Sequence, residues 1–174
     1  PPRNRQPVTT RLIRWSQETI ADAIGYELAR HGQVFFVHNR IESIHGVAGQ
    51  IEECVPGIRI AIAHGRLTPS ETEQILLDFA ERKYDLLLAT TIIENGIDMP
   101  NVNTILINSA HRYGLSDLHQ LRGRVGRGSQ RAYCYLITPP LGTLTEAAAR
   151  RVKAIESFSD LGSGMRIALQ DLDI

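Results

Sequence analysis

Only two cysteines, Cys54 and Cys134, occur in 174 residues, too few for a disulfide framework. Both stand in apolar stretches, where a reduced, packed thiol is expected. Neither charge is in excess: 19 basic residues face 19 acidic ones, so contact with a polyanion has to come from a local patch. No run of about 18 apolar residues is present, and the N-terminus lacks the shape of a signal peptide. A soluble, cytoplasmic chain with no membrane partner is therefore expected. None of the six histidines pairs with another His, Cys or carboxylate at a zinc spacing, so no metal ligand is assigned. Missing too are a Gly-x-x-x-x-Gly-Lys-Ser/Thr loop and an Asp-Glu pair after an apolar strand. Without those groups neither ATP nor Mg²⁺ is properly held, and the chain alone is not expected to hydrolyse ATP.

What is present is an alternation. Short β-branched or apolar runs at 8–14, 33–37, 59–63, 85–89, 103–108 and 132–137 alternate with segments of helical period, which predicts an α/β fold with a parallel sheet and crossover helices. Val34-Phe35-Phe36-Val37 and Leu86-Leu87-Leu88 are apolar in succession, as strands covered on both faces are. Helices are expected over 20–30, over 41–54, from a capping box at Thr68-Pro69-Ser70-Glu71 to about residue 82, and from Ser116 as N-cap. After Thr138-Pro139-Pro140 the composition turns helical, broken again at Leu161-Gly162-Ser163-Gly164, so a helical tail docked on the main domain is predicted. The chain begins without methionine and stops inside a patterned segment, and is read as a piece of a larger protein.

The densest chemistry lies in His119-Gln120-Leu121-Arg122-Gly123-Arg124-Val125-Gly126-Arg127. On a helix Gln120, Gly123, Arg124 and Arg127 would share one face. A planar, permanently charged fork suits the charge that spreads over a transferring phosphoryl group, and glycines beside it give clearance. Two glycines in four residues also oppose a helix, so at least one is there for close approach or for a break. A solvated basic face, or one binding nucleic-acid phosphates, is the alternative. A second candidate is Ala89-Thr90-Thr91 through Met99-Pro100, where an apolar strand meets Thr90, Thr91, Glu94, Gly96 and Asp98 at the carboxyl edge of a parallel sheet, the place ligands of open α/β folds occupy. A strand-to-helix turn with capping Thr and Asp is its plain reading.

Gln120 through Arg127 resembles motif VI of superfamily 2 helicases and translocases, and Ala89 through Pro100 resembles motif V. Phe35-Phe36-Val37-His38-Asn39-Arg40 is similar to motif IV, and His64-Gly65-Arg66 to the HG element of relatives. The resemblance implies a RecA-like parallel sheet flanked by helices, the C-terminal lobe of a P-loop NTPase-type motor. Arg124 and Arg127 are then arginine fingers, and Gly96, Asp98, Gln120 and Gly123 lie toward the nucleotide. Thr90 or Thr91, His64, Gly65, and Asn39 or Arg40 meet the DNA backbone, with helix capping the other reading of Asn39 and a turn that of His64. ATP and Mg²⁺ are held mainly by an N-terminal RecA-like lobe.

Residues 145–174, with Asp160-Leu161-Gly162-Ser163-Gly164 and Asp171-Leu172-Asp173-Ile174, resemble the start of the TRG (translocation in RecG) motif. That motif is shared by the transcription-repair coupling factors and RecG. The direct step from His38-Asn39-Arg40-Ile41-Glu42-Ser43-Ile44 into a helix and the opening Pro1-Pro2-Arg3-Asn4-Arg5-Gln6-Pro7 resemble the coupling factors more, with RecG the nearest alternative and a non-enzymatic nucleic-acid-binding module a rival of another class. Residues 1–15 then correspond to an interlobe linker and first strand, 16–140 to the lobe and 141–174 to a partial TRG segment with a short α-helical tail. The partners implied are double-stranded DNA, the N-terminal lobe and, through other domains, RNA polymerase and excision-repair proteins. Asn108 departs from the pattern, since relatives more often carry an acidic residue after that strand.

Overall fold

A computed structural model describes residues 7–90 and 99–157. Its strands are β1 (Val8–Ile13), β2 (Gln33–Val37), β3 (Ile60–Ala63), β4 (Leu86–Ala89), β5 (Val102–Ile107) and β6 (Ala132–Ile137), and its helices α1 (Gln17–Ala29), α2 (Ile41–Cys54), α3 (Pro69–Ala80), α4 (Leu115–Arg122) and α5 (Glu146–Ser157). The strands form one sheet in the order β1-β6-β5-β2-β4-β3, with every pairing parallel. The alternation read from the sequence is thus present, with strand ends shifted by no more than a residue.

The apolar runs are explained by two layers of helices. Leu86 and Leu88 of β4, with Val34 and Phe36 of β2, pack against Ile20 and Ile24 of α1 and Ile44 and Ile51 of α2. Leu87 and Ala89, from the opposite face, meet Phe79 of α3, Leu115 and Leu118 of α4, and Val152 and Ile155 of α5. Each fully buried Leu, Ile or Phe side chain contributes roughly 1.5–3 kcal/mol relative to exposure, so a strand without this double coat would lose its sheet position. The described part of the tail shares this core: α5 buries Ala148, Val152 and Ile155. Its Glu156 accepts the edge-strand N–H of Leu12 at 2.8 Å.

Helix ends follow local chemistry. Thr68 and Glu71 close the expected capping box at the start of α3. α1 starts earlier than the periodicity suggested, because the Ser16 hydroxyl accepts from Thr19 N–H. Ser116 is not the cap of α4. Gly114 holds that position without a side-chain bond, because burial of Leu115 and Leu118 on one face draws the helix start back by two residues.

Candidate nucleotide and nucleic-acid interface

Since all six strands run the same way, their carboxyl ends share one edge, and the neighbouring strands β2, β4 and β3 bring three of the sequence-predicted segments into one row. Beyond β2 come buried His38 and exposed Asn39 and Arg40; beyond β4, Thr90; beyond β3, His64 and exposed Gly65. The ladder continues past the strands: His38 N–H donates to Ala89 O at 2.9 Å and Thr90 N–H to Ala63 O at 3.2 Å. Thr90 is buried. Arg40, not Asn39, stands at the N-cap of α2, and the Arg40 side chain makes no capping bond. His64 shapes a turn, its Nδ1 accepting Arg66 N–H at 3.2 Å. Thr91, Gly96 and Asp98 lie outside the described residues, as do residues 1–6 of the expected linker and 158–174 of the expected TRG segment.

The arginine segment leaves the helix sooner than the shared face requires. Gln120 is exposed on α4, Gly123 is its C-cap, and Arg124 N–H bonds to Leu121 O at 3.0 Å in a tightened last turn. Val125 then plunges fully into the core, and Gly126 takes φ +89°, a conformation that favours glycine. Arg127 follows this break and does not continue the helical stripe of Gln120, Gly123 and Arg124. Both Arg124 and Arg127 are exposed. Among the described residues neither enters an ion pair. Val125, within this turn, belongs to the core layer of Phe79 of α3, Leu118 of α4 and Val152 of α5.

Sequence reasoning missed three features around it. Arg122 is 1% exposed and reaches across the fold: its Nη1 donates to Ile155 O of α5 at 2.9 Å and lies 3.5 Å from Thr10 Oγ1 of β1. Its neighbours are arginines on the surface, so nothing local marked it as the buried one. Gly128 lets the turn approach the loop before β5, since a Cβ there would stand 2.9 Å from Pro100 O. Third, His38 and Asn108, from adjacent strand ends, bond through His38 Nδ1 and Asn108 Nδ2 at 3.0 Å. An open cavity of about 490 Å³ lies elsewhere, beside Arg14, Thr19 and Thr138, and includes none of the predicted residues. Among the described residues no three His, Cys, Asp or Glu side chains gather as a metal cluster, and no helix is long and apolar enough to cross a membrane.

Residues 15–129 match the helicase conserved C-terminal domain. The chain belongs to that helicase family. Over all 174 residues it is 46% identical to the transcription-repair-coupling factor of Staphylococcus aureus (strain USA300) and 45% identical to that of Staphylococcus epidermidis. It spans 15% of the length of these relatives. Among solved structures, RecG bound to a three-way DNA junction superposes with TM-score 0.82 at 37% identity, over 98% of this chain and 22% of that one. Saccharomyces cerevisiae Dbp5 L327V bound to RNA and ADP BeF3 gives TM-score 0.63 over 95% of this chain and 44% of that one. At 15% identity the Dbp5 likeness shows the fold alone. The helicase C-terminal lobe is accordingly RecA-like, as the motif resemblance implied.

Proposed function

We propose that this helicase lobe is the second RecA-like lobe of an ATP-dependent double-stranded DNA translocase that acts in transcription-coupled repair. The observation that carries the reading is the 46% identity to a transcription-repair-coupling factor along the entire chain. The geometry agrees with it. Arg124 and Arg127 offer two exposed guanidiniums outside ion pairs among the described residues, beside Gly123, and this fits the γ-phosphate side of a nucleotide. ATP supplies a phosphoryl group whose transfer spreads negative charge, and Mg²⁺ offsets part of it. The N-terminal lobe holds both, because this chain has no phosphate loop of its own. Alone it does not hydrolyse ATP.

In the assembled protein Arg124 and Arg127 face the cleft between lobes, with Gln120, Gly123, Gly96 and Asp98 on the same side. The row formed by Asn39, Arg40, His64, Gly65 and Thr90, with Thr91, tracks the DNA backbone. Closing and opening of the lobes then steps the motor along duplex DNA. In the whole protein this displaces stalled RNA polymerase and leads to excision repair, in the cytoplasm. A second reading, a RecG-like lobe, is favoured by the superposition on RecG.

Duplex-stimulated ATP turnover by the full-length protein tests the grip. Replacing Thr90 and Thr91 together with Ala should raise the DNA concentration for half-maximal stimulation about tenfold or more, the cost of losing charge-assisted phosphate bonds. An unchanged half-maximal concentration removes the strand-end row from the DNA site.

A further inference from the structure

His38 has an orientation and a protonation state that its neighbours dictate. Ser109 N–H can only donate, and it meets Asn108 Oδ1 at 3.1 Å. The Asn108 amide is thereby oriented with its NH₂ toward His38 Nδ1, at 3.0 Å. That nitrogen must accept, so the proton sits on Nε2, which stands 2.7 Å from Ser43 Oγ on α2. Backbone bonds enclose the pair: His38 N–H to Ala89 O and Asn108 N–H to Val37 O, both at 2.9 Å. Burial holds the ring below its ordinary pKa, and the Arg40 guanidinium adds to that. From the other elements the ring bonds to the Asn108 amide and the Ser43 hydroxyl, both uncharged.

The pair stands at a junction. On one side of His38 the chain continues directly to Asn39 and Arg40 at the strand-end row. On the other side Asn108 fixes Ser109, whose φ of +52° opens the 3₁₀ turn Ala110–Arg112 that leads into α4 and its arginines. The His38–Asn108 contact thus links residues 38–40 to the start of the segment that carries Arg124.

We propose that His38, neutral and protonated on Nε2, is a positioning residue that couples the Asn39–Arg40 grip to the arginine-bearing segment through Asn108. This rests on the translocase reading for its consequence, but not for its chemistry. Two-bond ¹H–¹⁵N spectra of this chain at pH 7 report the ring directly. The expected pattern is a bare Nδ1 and a protonated Nε2, and Asn108→Asp should make both nitrogens carry protons by placing a carboxylate at Nδ1. A charged ring or a protonated Nδ1 in the unaltered chain overturns the proposal.

In the full-length protein two substitutions separate the halves of the ring. His38→Asn keeps an acceptor at the Nδ1 position and should retain the ratio of duplex-stimulated to basal ATP turnover within about twofold. His38→Gln keeps only the reach to Ser43, and that ratio should fall about fivefold or more, the lower range of coupling between sites. Full stimulation in His38→Gln overturns the coupling. If Arg124→Ala leaves turnover intact, the translocase reading fails instead, and the spectra still decide the state of His38.

Discussion

Arg122 and Arg124 carry the same guanidinium two positions apart in one turn, yet Arg122 is 1% exposed while Arg124 is exposed. The difference comes from what surrounds each. Arg122 is turned inward, where the Ile155 carbonyl of α5 and the hydroxyl of Thr10 accept from its Nη1. Arg124 sits past the Gly123 cap, and Val125 next to it is driven inward, so the backbone turns the two arginines apart. One guanidinium is used to hold the turn, and the other is left exposed. The same residue type therefore says little until its partners, distant in sequence, are known.

The widest separation should appear in stability. Arg122→Ala removes packing and strands the Ile155 carbonyl, and should cost about 3 kcal/mol in urea unfolding. Arg124→Ala should stay within about 0.5 kcal/mol, as an exposed substitution does. Equal losses would break the comparison. The two glycines sharpen it further. Gly126→Ala at φ +89° should cost about 1–2 kcal/mol, whereas Gly123, at φ −69°, should accept Ala with almost no loss of unfolding free energy. If Gly126→Ala proves neutral, the break in the stripe is not conformational.

A smaller effect comes from pH. Because the folded pKa of His38 is lowered by burial and by Arg40, the unfolded chain binds the proton more readily. Its contribution is present above the unfolded value near 6.5 and is lost as pH falls through the folded pKa, at no more than about 1.4 kcal/mol per pH unit. His38→Asn should flatten that part of the urea-midpoint profile, leaving the share of His111, which is lowered in the same direction by burial, Arg112 and Arg151. Smallest is an effect of chemistry without stability: burial pushes the Cys134 thiol up to about 12, so alkylation at pH 8 should wait for unfolding. Rapid modification of the folded chain would contradict that burial.

Much of this arrangement was legible because it is written locally. The capping box at Thr68, the apolar runs of β2 and β4, and the extent of α2 over 41–54 each lie within a few residues of the structure they specify. What escaped depends on residues brought together by topology. The start of α4 at Gly114 follows from the core beneath Leu115. Arg122 finds partners at residues 10 and 155, and His38 meets Asn108 only because β2 and β5 are neighbours. Arg127 left the helical stripe because Val125 is more strongly held by the core than the helix is by its own period. Thr91, Gly96 and Asp98, outside the described residues, rest on their motif alone.

ATP turnover on duplex DNA by the full-length protein, measured with Arg124 and Arg127 each replaced by Ala, tests the central claim most directly. Loss of a guanidinium that completes the nucleotide site should lower the rate by roughly 10³- to 10⁵-fold, with the lobe still folded. Turnover that stays within about tenfold of the unaltered protein in both variants would contradict the role assigned to this turn.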